Sequence, residues 1–331
     1  MSNGNLTNFD MTGLLSLLTQ RLQQALGNAQ PSLASSLTAT TEVIAKRFHS
    51  SVSAYFESSV DNAETFFETL LGSEDTFAHL GKLFICSEFA LDTVCQDPAL
   101  LIALLNSNDF YRSYHQEGSN AYVESLQLEV EGLSLANLTE DDLMRLLRHF
   151  RQREMLRILF RDLNQLASLE ETTGDLALLA DACLHVALTF LHQQLVVKYG
   201  QPVGDDSGLP QFLVVLGMGK LGACELNVSS DVDLIFSFSE SGETDAGKAS
   251  ISNQEFFTKL GKALIRVIDT RTVDGFVFRV DMRLRPNGQS GPLVLSFSAM
   301  EDYYQQHGRE WERYALIKAR CVAGDLEQGA Q

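Results

Sequence analysis

The sequence has no Cys-x-x-Cys pair, no run of 18 apolar residues and no excess of basic charge. Each absence removes a class of function. The five cysteines, Cys86, Cys95, Cys183, Cys224 and Cys321, are scattered and odd in number. That pattern excludes a disulfide framework or a cysteine zinc site and reads as reduced thiols in a cytoplasmic protein. The first ten residues, MSNGNLTNFD, hold neither a basic n-region nor an apolar run, so no signal peptide is expected. Without about 18 consecutive apolar residues, no membrane span is expected either. Lys+Arg 25 against Asp+Glu 43 leaves a net charge of −18, which repels nucleic acid. A basic strip survives at 279–285, on a scale that suits a small phosphate ligand. No internal repeat of fixed period is visible, and 331 residues suffice for roughly two domains with separate cores.

What is present begins as helix. Residues 11–27 carry Leu14, Leu15, Leu18, Leu22, Ala25 and Leu26 at helical spacing, and Gly27 is a stop signal. Residues 41–58 place Val43, Ile44, Phe48, Val52, Tyr55 and Phe56 likewise. Phe66, Phe67, Leu70 and Leu71 mark a further helix ending at Gly72. Helices are predicted over 75–95 and 98–106, with Pro98 in a first turn. The segment 107–132 is polar and ambiguous. Thr139-x-x-Asp142 has the form of a capping box and opens a long helix dense in arginine: Arg145, Arg148, Arg151, Arg153, Arg157 and Arg161. These are expected to form a solvated basic face, or else a face toward a phosphate site or an acidic partner. A last helix spans about 175–198. Between 200 and 210 the composition turns to glycine, proline and aspartate, as in a linker. The expected class is α+β: an all-helical domain over 1–199, a linker over 200–209 and a mixed α/β catalytic domain over 210–331.

The second part is organised around FLVVLGMGKLGACELNVSSDVDLIF, 212–236. The apolar run 212–216 reads as a buried strand, broken by Gly217-Met218-Gly219-Lys220 and followed by a short helical segment. A second strand begins at Asp231-Val232-Asp233. Side chains two apart on a strand share a face, so Asp231 and Asp233 converge there. Two such carboxylates repel unless a cation lies between them, and a hard divalent ion is the usual occupant. A glycine turn entering a helix offers backbone N–H groups to a phosphate. After an exposed loop over 239–252 and a helix over 253–269, FVFRVDMRLRP, 276–286, alternates strictly. Phe278, Val280, Met282 and Leu284 fall on one face, and Arg279, Asp281, Arg283 and Arg285 on the other. Asp281 is thus a candidate third metal carboxylate, with Arg283 and Arg285 to neutralise phosphate oxygens through bidentate hydrogen bonds. Ser298-x-x-Glu301 is expected to cap the next helix. Trp311, the single tryptophan, is expected in the core, and Lys318 and Arg320 at the surface or paired with Glu310 and Glu312.

GMGKLGACELNVSSDVDLIF, FRVDMRLRPNGQSGPLVLSF and YYQQHGREWERYALIKAR together resemble the bifunctional glutamine synthetase adenylyltransferase/adenylyl-removing enzymes, as does EDDLMRLLRHFRQREMLRILFRDL at 140–163. The resemblance covers most of 212–320 and implies a nucleotidyltransferase-like fold for 210–331. The wording of ELN, VDMRLRP, SGPLVLSF and WERYALIKAR is closer to the N-terminal, adenylyl-removing half. It implies phosphorolysis, in which phosphate releases AMP from an adenylylated tyrosine of glutamine synthetase as ADP. Asp231, Asp233 and Asp281 would then be catalytic and hold Mg²⁺ or Mn²⁺. Gly217, Gly219, Lys220, Ser230, Arg283 and Arg285 would contact phosphate or nucleotide. The implied partners are adenylylated glutamine synthetase, the PII signal protein and phosphate or ADP, in the cytoplasm. ATP-dependent adenylylation by the same fold, or a docking module for glutamine synthetase or PII, are the alternatives. Cys224 stands where the resemblance places glycine, Val228 where it places an aromatic residue, and Lys220 where many nucleotidyltransferases have serine. The chain stops at Gln331, short of a two-headed enzyme, so a fragment is expected.

Overall fold

Three short polar side chains divide the first helical stretch. In the computed structural model, which describes residues 11–29, 34–58, 70, 73–114, 118, 120–132 and 138–329, Ser73, Ser87 and Asp97 each accept a backbone N–H of the helix that follows. Ser87 therefore breaks the helix predicted over 75–95 in two, ending one helix and starting the next. The helices are α1 (Met11–Ala29), α2 (Ala34–Ser58), α3 (Glu74–Cys86), α4 (Glu88–Gln96) and α5 (Pro98–Asn106), with Pro98 in the first turn as predicted. The ambiguous segment supplies a 3-10 turn (Asp109–Tyr111) and α6 (Ala121–Gly132). The helix predicted around Phe66, Phe67 and Leu71 lies outside the described residues. Then come α7 (Glu140–Leu163) and α8 (Leu169–Tyr199). By length and composition α8 alone among the described helices could cross a membrane, but it is mostly buried inside the protein, as a core helix is.

The chain forms two compact units, residues 1–113 with 152–169, and 114–151 with 170–331. This division falls within the helical part and not at 200–209. In the first unit, Leu22, Phe48, Phe56, Leu80, Phe84 and Leu101 are core residues. Phe110 stacks on Phe160 at 4.2 Å between ring centroids. In the second unit the sheet order is β3-β2-β1-β5, with β4 also on β2. Here β1 is Leu213–Gly217, β2 Val232–Phe238, β3 Val280–Asp281, β4 Val294–Ser296 and β5 Arg320–Gly324, and a one-turn helix α9 (Gly219–Gly222) links β1 to β2. β1 runs antiparallel to both neighbours, whereas β3 and β4 run parallel to β2. α10 (Asn253–Asp269) buries Phe256, Phe257, Leu260 and Leu264, and its Gly261 admits the Phe236 ring of β2. α11 (Phe297–Gln306), α12 (Glu310–Ala315) and α13 (Leu326–Gly329) complete the second unit.

Several expectations are corrected. Four of the six arginines of α7 are not on a solvated face: Arg148 and Arg157 are 0% exposed and Arg151 and Arg161 are buried, whereas Arg145 is exposed as expected and Arg153 is partly so. The buried charges are held by carbonyl oxygens and a carboxylate, which is how a guanidinium tolerates burial. In the first unit Arg157 pairs with buried Glu154 at 2.8 Å and donates to the Arg112 carbonyl, and Arg161 donates to that of Tyr111. In the second unit Arg148 donates to the carbonyls of Met144, Val267, Thr270 and Gly275. Beside it, Arg151 lies 5.3 Å and 5.4 Å from the ring centroids of Phe276 and Phe278. The stretch 200–210 is no loose tether, since Gly204 N donates to Leu209 O, and Pro202 and Val203 bridge Thr244 and Pro210. Ser296, not Ser298, caps α11. Trp311 is 53% exposed. Lys318 is at the surface as expected, paired with Glu225 at 2.7 Å, whereas Arg320 is partly buried and pairs with Asp181 at 2.6 Å, not with Glu310 or Glu312.

Candidate functional site

The parallel pairing of β2 with β3 sets Asp233 directly opposite Asp281. Asp231 lies just before β2, exposed, and Val232 between them is fully buried, as the predicted alternation requires. Asp233 is half-buried, and its carboxyl is pushed up to about 6, first by burial and then by the negative charges of Asp231 and Asp281. The Met218 N–H donates to the Asp233 carbonyl at 2.8 Å, which locks the glycine turn against β2. Gly219 has φ +53, and a Cβ there would sit 3.1 Å from Asp233 Oδ2, so turn and carboxylate are adjacent. Gly222 cannot carry a side chain, because a Cβ would collide with the Lys318 carbonyl. Gly217 lies within β1 under Val322, so packing already requires its lack of a side chain.

The basic residues divide in two. Arg283 is exposed and turned onto Asp281: its backbone N–H and Nε donate to the carboxylate at 2.8 Å and 2.7 Å. That hydrogen bond holds the Asp281 carboxyl below its ordinary range. Arg283 in turn is raised by Asp281 first, with Asp231 and Asp233 adding to it, so it stands as the cation among three carboxylates. Arg285 does not join that face. The predicted strand 276–286 is cut to Val280–Asp281 because the chain turns from 283 onward, with Asn287 and Gly288 at φ 62 and 54. Arg285 is folded inward, with Nη1 donating to Met282 O at 2.7 Å and Nη2 to Gln289 O at 3.3 Å. The Arg279 guanidinium is bound to the Ser229 carbonyl, and the Ser230 hydroxyl donates to Asn227 Oδ1 at 2.6 Å, so both shape the 227–230 loop. Lys220 is exposed on α9.

Among the described residues, no three His, Cys, Asp or Glu side chains are already gathered into a metal cage. Asp281 spends its oxygens on Arg283. The donor set nevertheless fits a hard divalent cation, being all carboxylate oxygen. The Asp233 carboxyl is raised first by burial, with the negative charges of Asp231 and Asp281 adding to it, and a cation would offset that second contribution. What sequence reasoning missed is that Arg283 and Asp281 are partners, a contact across one turn that strand alternation hides. It also missed the Arg148 clamp on 267–275, which has no local signature.

A family model described as glutamate-ammonia ligase adenylyltransferase matches residues 77–331. Curated relatives named bifunctional glutamine synthetase adenylyltransferase/adenylyl-removing enzyme are similar over much of the chain. The one from Nitrosococcus oceani is 54% identical over 245 residues, 74% of this chain and 25% of the relative. Those from Pseudomonas aeruginosa and Pseudomonas putida are 50% and 53% identical over 78% and 74% of this chain, and 26% and 24% of their own. The chain thus spans about a quarter of the length of these relatives.

Proposed function

Because the chain belongs to the glutamate-ammonia ligase adenylyltransferase family, we propose that its Asp231–Asp233–Asp281 site transfers an adenylyl group, specifically removing AMP from an adenylylated tyrosine of glutamine synthetase by phosphorolysis. The observation that carries this reading is the opposition of Asp233 and Asp281 across parallel strands beside the Gly219 turn. The adenylyl-removing direction rests on the motif wording around 225–230, 280–286, 290–297 and 311–320.

Asp231, Asp233 and Asp281 would hold Mg²⁺ or Mn²⁺, which when bound supplies charge neutralisation for phosphate oxygens. Arg283, free to exchange Asp281 for a phosphate oxygen because it lies at the surface, contributes a second positive charge. Exposed Lys220 at the glycine turn is a third. Arg285 holds the 282–291 turn and through it the setting of Arg283. The transfer needs alignment and charge neutralisation more than covalent help. A hydrogen phosphate oxygen attacks the AMP phosphorus, the bond from phosphorus to the tyrosine oxygen breaks, and the proton of the attacking phosphate ends on the tyrosine. The products are ADP and the protein with its tyrosine hydroxyl restored.

The test is incubation with adenylylated glutamine synthetase, Mg²⁺ and phosphate. ADP release that requires phosphate supports the reading. Free AMP released without phosphate makes the site a hydrolase. AMP incorporation from ATP into unmodified glutamine synthetase assigns it the opposite direction.

A further inference from the structure

Strand β2 fixes only one end of the glycine turn. The Met218 N–H donates to the Asp233 carbonyl at 2.8 Å, and Gly219 lies against the Asp233 carboxylate. Beyond that contact α9 is a single turn, Gly219–Gly222. A helix this short does not hold itself, and its last carbonyls have no partner within it. Arg320 takes them. It opens β5, opposite Gly217 of β1, with Nη2 donating to Leu221 O at 3.0 Å and Nε to Gly222 O at 3.2 Å.

The same guanidinium is set from another side by Asp181 of α8. Nη1 donates to Asp181 Oδ2 at 2.6 Å and Nη2 to Oδ1 at 3.3 Å. Asp181 is 8% exposed, between the buried Ala180 and Ala182 of a core helix. Burial pushes this carboxyl up to about 6, while Arg320 draws it down. An apolar pair of similar volume is often at least as stable as a buried ion pair. What an apolar pair lacks is direction. A guanidinium forked onto a carboxylate keeps its N–H groups aimed at two successive carbonyls. The arrangement is internal, joining α8, β5 and α9 within the second unit.

We propose that Arg320, oriented by Asp181, is a positioning residue for adenylyl transfer: it holds the end of α9, so that the glycine turn with Lys220 keeps its place beside Asp233. This rests on the function proposed above. In this role neither residue touches the reacting atoms. Arg320 acts through α9, and Asp181 acts through Arg320.

Arg320→Lys keeps a positive charge for Asp181 but cannot reach both carbonyls. In the full chain at pH 7, a peptide covering 217–225 should exchange its amide hydrogens at least about tenfold faster, with 253–269 of α10 unchanged. The kcat for ADP release from adenylylated glutamine synthetase should fall by about tenfold or more, because a misplaced aligning group acts on the transition state. KM for that protein should stay within about twofold. Asp181→Asn should give the same pattern to a smaller degree, and it serves where the lysine variant does not fold. Stability separates a purely structural role. Arg320→Met leaves Asp181 buried without its cation and should lower the melting temperature, and adding Asp181→Asn should recover part of that loss. The kcat of this double variant should stay low, since the α9 carbonyls still lack their donor. Unchanged exchange over 217–225, equal loosening of α10, or a kcat that holds or returns with the melting temperature would each overturn the positioning role. Loosening confined to 217–225, in variants of a parent chain that releases no ADP, upholds the clamp on α9 and overturns the chemistry. Equal ADP release by the parent and Arg320→Lys does the reverse.

Discussion

Asp233 has an ordinary carboxyl value of 3.8 and a value of about 6 in the fold, so the folded state favours its proton. The stability this group contributes is present below about pH 4 and is lost as pH rises from about 4 to about 6. Asp233→Asn removes that loss, and it should raise the melting temperature of the metal-free protein at pH 7 while abolishing ADP release. A variant that turns over normally would end the assignment of Asp233 to the metal. Metal must also displace the proton, so Mn²⁺ affinity, followed by calorimetry, should fall about tenfold per pH unit below pH 6. A second residue-scale consequence lies at Cys224, whose φ of 56 is in the left-handed region that favours glycine. The resemblance places glycine there, and the backbone supplies the physical reason. Cys224→Gly should raise unfolding free energy by up to about 1 kcal/mol, the strain relieved less the entropy added to the unfolded chain. Urea unfolding showing a loss of that size would mean that the thiol packs better than the strain costs.

The elements nearest the carboxylates depend on contacts that span the sequence. Arg148 joins α7 to carbonyls at 267, 270 and 275, the end of α10 and the turn that leads to β3 and Asp281. Arg148→Met leaves buried carbonyls without their charged donor and should cost about 3 kcal/mol by denaturant unfolding, with Arg148→Lys recovering less than half for want of the fork. A cost below about 0.5 kcal/mol would show that water replaces the guanidinium without penalty. This contact also explains what could be read in the sequence. β1, the glycine turn and β2 were legible because strand alternation and turn chemistry are local, and Asp231 and Asp233 fall where spacing places them. The pairing of β3 with β2 was not, since a two-residue strand is defined by its partner. Alternation over 276–286 misled because Asn287 and Gly288 turn the chain, and Arg285 closes that turn by bonding its carbonyls. Arginine at helical spacing reads as a solvated face unless the carbonyls that receive it are known, and those lie up to 127 residues away. Trp311 misled for the converse reason: Glu312 took the inward position, which composition assigns to the aromatic ring.

For the molecule as a whole, charge sets a condition on the proposed reaction. A chain of net charge −18 repels both hydrogen phosphate and an anionic adenylyl phosphodiester. Two ranges of field act in opposite directions. The repulsion sums over many distant carboxylates, while in the proposed site the attraction would come from Arg283, Lys220 and a bound cation at contact distance. Salt separates them, because the Debye length falls from about 30 Å at 0.01 M to about 8 Å at 0.15 M. Charges tens of ångströms from the phosphate are then screened, whereas a contact ion pair keeps most of its attraction. Raising an inert salt over this range, at fixed free Mg²⁺, should therefore lower KM for phosphate. Arg283→Gln should raise KM at both salt concentrations without removing that decline, since it deletes a contact charge and leaves the distant ones in place. If KM for phosphate instead climbs steadily with salt, the positive groups at the site govern capture from long range. The net charge of the chain is then irrelevant to the approach of the nucleophile.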